Sequence, residues 1–213
     1  MPACRALTIE ECETMYHSFT GRHKLRNQCM HLLCLTTGLR IHEALALRIR
    51  DVVKNGQVVR VLQVQRRYMK QAARGRNIAL PLQTRESIMR QVQWLHEHGL
   101  YGPDQWLFKS QYGDKAISRR EAWGIFHRTA HKAGLPKDLG TLGTHSWRKT
   151  FATQIFYAAV NRLREGESVD PMLEVTRALN HADPKNTAKY IPISMDSALK
   201  NMHALEALHS YAL

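Results

Sequence analysis

The sequence predicts a mainly α-helical domain with one small antiparallel β-sheet set inside it. Three observations lead there. Apolar residues recur at three- and four-residue spacing in successive stretches, opened by capping residues and closed by glycine or proline. Between residues 51 and 81 that spacing gives way to β-branched runs flanking an Asn55-Gly56 hairpin signal. Hydrophobic residues make up 44% and charged residues 23% of the 213, enough apolar surface for a real core. Residues 1–213 are expected to form a single domain, since no repeat, low-complexity tract or linker interrupts them.

Thr8 and Glu11 have the spacing of a capping box, which predicts a helix to about Phe19 and a break at Thr20-Gly21. A second helix runs from near His23 through Met30, Leu33 and Leu35, and Gly38 suits the left-handed position that ends it. Residues 39–47 begin the next helix, with Leu39, Ile41, Ala44, Leu45 and Leu47 as core positions. Val58 to Val64 and Asn77 to Pro81 read as strands, joined by the basic loop 66–76. Helices follow from Ser87 to His98, from a Ser118 cap to about Ala133, and from a Thr144 cap through Ile155, Ala159 and Leu163. Pro171 fits the first turn of a helix covering Met172 to Leu179, and Asn180 to Pro184 is a turn. Beyond Ile191-Pro192, the residues Ala198, Leu199, Met202, Leu205 and Leu208 form the apolar stripe of a last helix.

Thirty-one Lys and Arg against eighteen Asp and Glu leave a formal net charge of +13, which fits a polyanion, nucleic acid foremost. Cys4, Cys12, Cys29 and Cys34 lack CxxC spacing and read as free thiols of a reducing compartment. No apolar run is long enough to span a bilayer, and a cytoplasmic protein is expected. The histidines show no clean ligand spacing, so neither a metal nor another cofactor is expected.

His145 and Arg148 lie three apart at a helix start, where a donor, a fixed cation and the helix dipole together make a cradle for a phosphate oxygen. Three further stretches stand in order around that pair. Thr37-Gly38-Leu39-Arg40-Ile41-His42-Glu43 precedes it, Lys70 lies in the turn between two strands, and Leu179-Asn180-His181 follows, with Tyr190 nine residues after His181. In order and spacing these stretches resemble the boxes of the tyrosine recombinases of phage-integrase type, over residues 7–207. The resemblance implies that family's catalytic domain as the fold, and site-specific strand exchange through a covalent 3′-phosphotyrosine as the activity.

Residue by residue, the resemblance makes Tyr190 the nucleophile, Arg40 and Arg148 the clamp on the non-bridging oxygens, and Lys70 the acid for the departing 5′ oxygen. His145 and His181 would relay protons or donate hydrogen bonds, and Glu43 would buttress the site. That division of labour is sound chemistry: cutting a phosphodiester without ATP needs a bond-conserving nucleophile, anion donors and an acid. Arg66, Arg67, Arg74 and Arg76 compete with Lys70 for a phosphate, although backbone contacts suit them better, and Lys149 joins them as a DNA contact. The sequence departs from the family at Asn180, where glycine is common, at Lys149, where many relatives have histidine, and in a long 156–171 segment. The family's usual N-terminal DNA-clamping domain is expected to be absent from this chain.

The expected partner is a double-stranded DNA recombination site held by a homotetramer, and no membrane. Two other readings stay open: a type IB-like topoisomerase with the same nucleophile, and a non-catalytic DNA-binding regulator on the same fold.

Overall fold

The computed structural model describes residues 4–68, 75–136 and 141–180, together with Thr187. The expected last helix lies outside these residues. So do Lys70, Arg74, His181 and Tyr190.

Helix α1 (Ile9–Ser18) starts at the predicted capping box, Thr8 accepting from the Glu11 amide and Glu11 from the Thr8 amide. Helix α2 (Lys24–Thr37) ends where Gly38 turns left-handed, at φ 60°, and its amide caps the Cys34 carbonyl. Buried Met30, Leu33 and Cys34 let α2 serve as the central rod of the core. A short α3 (Ile41–Leu45) begins two residues later than expected, because Arg40 stays extended while the Glu43 carboxylate accepts from its amide at 2.8 Å. Helix α4 (Ile49–Val52) leads into the hairpin of β1 (Val53–Lys54) and β2 (Gln57–Val58), with Asn55 and Gly56 both at positive φ as that tight turn requires.

Among the described residues, the expected single sheet is two two-stranded antiparallel pairs. β3 (Val61–Val64) pairs with β4 (Arg76–Ala79) in the register Val61↔Ala79 to Val64↔Arg76. The change of partner falls between neighbouring residues: the Val59 amide donates to Val52, while the Arg60 carbonyl accepts from Leu80. The buried Leu62, Val64, Ile78 and Leu80 join this second pair to the helical core.

Helix α5 (Leu82–Glu97) starts five residues earlier than the sequence suggested, because the fixed φ of Pro81 presets its entry. Trp106 and Lys109 form isolated antiparallel bridges to Arg48 and Ala116, and α6 (Arg119–Lys132) starts at the predicted Ser118 cap, to which Glu121 adds a full capping box. Helix α7 (Thr144–Arg164) corrects the Thr144 cap. Gly143 occupies the cap position in extended backbone, its amide donating to the Ser146 hydroxyl at 3.2 Å. Much of the long 156–171 segment is therefore the far end of this helix. Helix α8 (Pro171–Leu179) is capped by Asp170, which accepts from the Met172 and Leu173 amides, and Asn180 ends it in the left-handed region.

The core is one large cluster over α1 to α7, with α2 packed against both α5 and α7. A small satellite of Ala152, Val175 and Leu179 joins α7 to α8. Cys29 and Cys34 are buried free thiols, and Cys4 and Cys12 are free and partly buried. Among the described residues no helix is long and apolar enough to cross a membrane.

Candidate active site

The site is built on the turn where α2 ends. α7 is brought against it by a relay of buried polar groups. The Trp147 indole donates to His31 Nδ1 at 2.8 Å, which puts the imidazole proton on Nε2, donating to the Cys12 carbonyl at 2.9 Å. Thr150 Oγ1 accepts from the Leu7 amide at 2.8 Å and donates to the Ser146 carbonyl. α1, α2 and α7 are thereby pinned together.

His31 is wholly buried, and burial pushes its pKa down to about 4 from an ordinary 6.5. Below the ordinary value the unfolded chain binds a proton that the folded chain refuses. The stability is thus complete above pH 6.5 and is lost as pH falls toward 4. We expect unfolding by denaturant at about pH 5 to require about 2 kcal/mol less than at neutral pH. A His31→Gln variant should flatten that dependence. An unchanged profile in the variant would assign the acid sensitivity to other groups.

Arg148 is 1% exposed although it carries a full charge. Its Nη1 donates to the Gly38 carbonyl and its Nη2 to the Leu179 carbonyl at 3.0 Å, so one guanidinium joins the end of α2 to the end of α8. Arg40 leaves the same turn and pairs with Glu43 at 3.1 Å, the carboxylate being almost fully buried and the arginine 29% exposed. His145, one helical turn before Lys149, stands at the exposed edge. Its pKa is held below the ordinary value by partial desolvation, then by Arg148, Arg40, His42 and Lys149.

Arg76 departs from its expected place. The sequence put it at the hairpin tip with Arg66, Arg67 and Arg74. It instead lies where the loop joins β4, half-buried and paired with Val64, and its Nη2 donates to the Thr37 carbonyl. Burial, foremost, and the charge of Arg148 lower its pKa to about 10, which leaves it charged at neutral pH. Arg66 is exposed on a short 3₁₀ turn (Arg66–Tyr68), and the Arg67 side chain lies outside the described residues. His42 belongs to the same charged neighbourhood as His145. Its place beside Arg40 and Glu43 was the one available signal for it.

Gly38 is indispensable to this arrangement for two reasons. Its φ is left-handed, and a Cβ there would meet the Phe151 ring at 2.3 Å. Gly38→Ala should therefore destabilise the fold by about 1–2 kcal/mol from backbone strain alone, with the ring clash added. Thermal unfolding measures it, and an unshifted midpoint would mean that the turn relaxes without loss.

Arg40, Arg76, Arg148, His145 and Lys149 thus face a site whose one carboxylate among the charged groups just described is Glu43. Such a cluster of cations suits an anion, and the guanidinium fork is the geometry that matches a phosphate. Residues 5–196 match the phage integrase family, and the chain belongs to that family, the tyrosine recombinases of site-specific DNA recombination. It is 24% identical over 190 residues to the probable integrase/recombinase YoeC of Bacillus subtilis, covering 89% of this chain and 90% of that one. It is 30% identical over 173 residues to tyrosine recombinase XerD of Corynebacterium glutamicum, covering 81% of this chain and half of the relative. The structure of XerH recombinase bound to its palindromic difH substrate superposes with a TM-score of 0.68 at 24% identity, over 94% of this chain and 52% of XerH. The chain therefore spans nearly all of one relative and about half of the other two.

Proposed function

We propose that this chain cuts and rejoins DNA at a specific site through a 3′-phosphotyrosine on Tyr190. The hydroxyl oxygen of Tyr190 attacks the phosphorus, the bond to the 5′ oxygen breaks, and that oxygen leaves with a proton from Lys70. Arg40 and Arg148 hold the non-bridging oxygens as charge builds on them, and His145 and His181 donate hydrogen bonds or carry the nucleophile's proton. Glu43 fixes Arg40, and Lys149 with Arg66, Arg67 and Arg74 contacts the DNA backbone. The free 5′ hydroxyl of an exchanged strand then attacks the phosphotyrosine and restores the DNA. Since exchange must cut four strands, the working form is a homotetramer on two sites.

The observation that carries this reading is Arg148. A buried charge is expensive, and here both terminal nitrogens are spent partly on backbone carbonyls. That expense secures a guanidinium of fixed orientation beside Arg40, which is of use to a bound phosphate. The XerH complex with its difH substrate supports DNA as the phosphate's source.

The test uses a pool of nicked duplexes with a randomised central segment, from which any cleaved strand is lost and the adduct is trapped. The expected result is a covalent protein–DNA product whose digested peptide carries the modification on Tyr190, together with a recovered site sequence. Binding without an adduct would favour the regulator reading. Relaxation of a supercoiled plasmid lacking the recovered site would favour a topoisomerase.

A further inference from the structure

Arg76 sits at an unusual point of the hairpin. Gly75 before it allows the backbone to pass so close to β3 that a Cβ there would lie 2.8 Å from the Val64 carbonyl. This tight passage delivers Arg76, the first residue of β4, paired with Val64, to the turn at the end of α2. There two guanidiniums take consecutive carbonyls: Arg76 donates to Thr37, and Arg148 donates to Gly38. Arg40 begins two residues further along the same backbone, and Glu43 exerts its charge on Arg76 as well as pairing with Arg40. Arg148 and Arg40 both repel Arg76, so the fold holds it there against two like charges. A surface contact for the DNA backbone would have no need of that position.

Resting on the strand-cleavage reading above, we propose that Arg76 is a positioning residue of the phosphate clamp: it locks the Thr37–Gly38 turn so that Arg148 and Arg40 address one phosphate. It works through the carbonyl it holds. Its contribution is to cleavage at saturating DNA and leaves affinity for the duplex untouched.

The experiment compares wild type, Arg76→Gln and Arg76→Lys on the nicked duplex recovered by covalent trapping. Single-turnover adduct formation is measured at saturating protein, and duplex affinity across a salt series. Arg76→Gln should slow cleavage by about 10- to 100-fold, the loss expected when a reacting group is misplaced by an ångström or less. Its affinity and salt slope should match wild type. Arg76→Lys, which can still donate to the Thr37 carbonyl, should recover part of the rate. A duplex with sulfur in place of the 5′ bridging oxygen, which leaves without a proton, should show the same Gln defect.

Weaker affinity with a salt slope reduced by about one, and normal cleavage at saturation, would make Arg76 a backbone contact and overturn the proposal. Rescue by the sulfur substrate would overturn it too, by placing the defect at the acid. Should the Gln variant fail to fold, a Lys variant cleaving at the wild-type rate overturns it and a slower one with normal affinity upholds it. A wild-type protein that forms no adduct at all sinks the strand-cleavage reading instead, so the two failures are distinguishable.

Discussion

Tyr190→Phe is expected to abolish covalent capture of DNA while leaving DNA affinity nearly unchanged. The substitution keeps the aromatic ring and removes one oxygen, the atom assigned to attack phosphorus. A lysine or histidine attacking in its place would yield a different and less stable phosphoramidate. The measurement is denaturing electrophoresis of the trapped adduct beside a mobility-shift titration of the same duplex. An adduct that survives in the Phe variant would move the nucleophile to another tyrosine and break the correspondence between Tyr190 and the family's closing box.

The second large effect is at Arg148. Arg148→Lys should reduce cleavage by about 10²- to 10³-fold, the usual consequence of removing a donor from developing anionic charge. It should also destabilise the fold, which most active-site substitutions do not. The arginine bridges the Gly38 and Leu179 carbonyls from 1% exposure, and an ammonium cannot reach both while presenting a forked pair outward. A buried carbonyl left without a donor costs about 1–3 kcal/mol. Equilibrium denaturation and single-turnover cleavage would be measured on the same preparation. A Lys variant that is stable and fully active would show that neither duty needs a guanidinium, and a destabilised but fully active one would make Arg148 a mere strut. A stable but inactive one would show that the α8 junction tolerates one missing bond.

The two substitutions separate what the site does from what holds it. Tyr190 is assigned the bond-making oxygen and nothing structural. Arg148 is assigned both duties, joining the turn after α2 to the end of α8 with the same group that faces the phosphate. Economy of this kind explains why a cation was buried at all: rigidity is cheapest to supply from the atoms that need it.

Local chemistry is what the sequence by itself determined. The Thr8/Glu11 box, the Ser118 cap, the left-handed end at Gly38, the Asn55-Gly56 turn and Pro171 at a helix start all act over a few residues, so their letters suffice. The order and spacing of Arg40, His145 and Arg148 were readable in the same way, and the family match at residues 5–196 bears out the family drawn from them. What only the tertiary structure decided involves partners far apart in the chain. No spacing rule links Trp147 to His31 or Thr150 to Leu7, yet those bonds set the depth at which α7 meets α2. The division of one expected sheet into two pairs depended on which distant strand claimed each amide. Arg76 shows the limit most clearly. Beside Arg66, Arg67 and Arg74 it reads as one more basic residue of a loop. Close passage of Gly75 over β3 and the Thr37 carbonyl at the end of α2 place it in the site, because a guanidinium near an acceptor is settled by geometry across 39 residues and not by its neighbours in sequence.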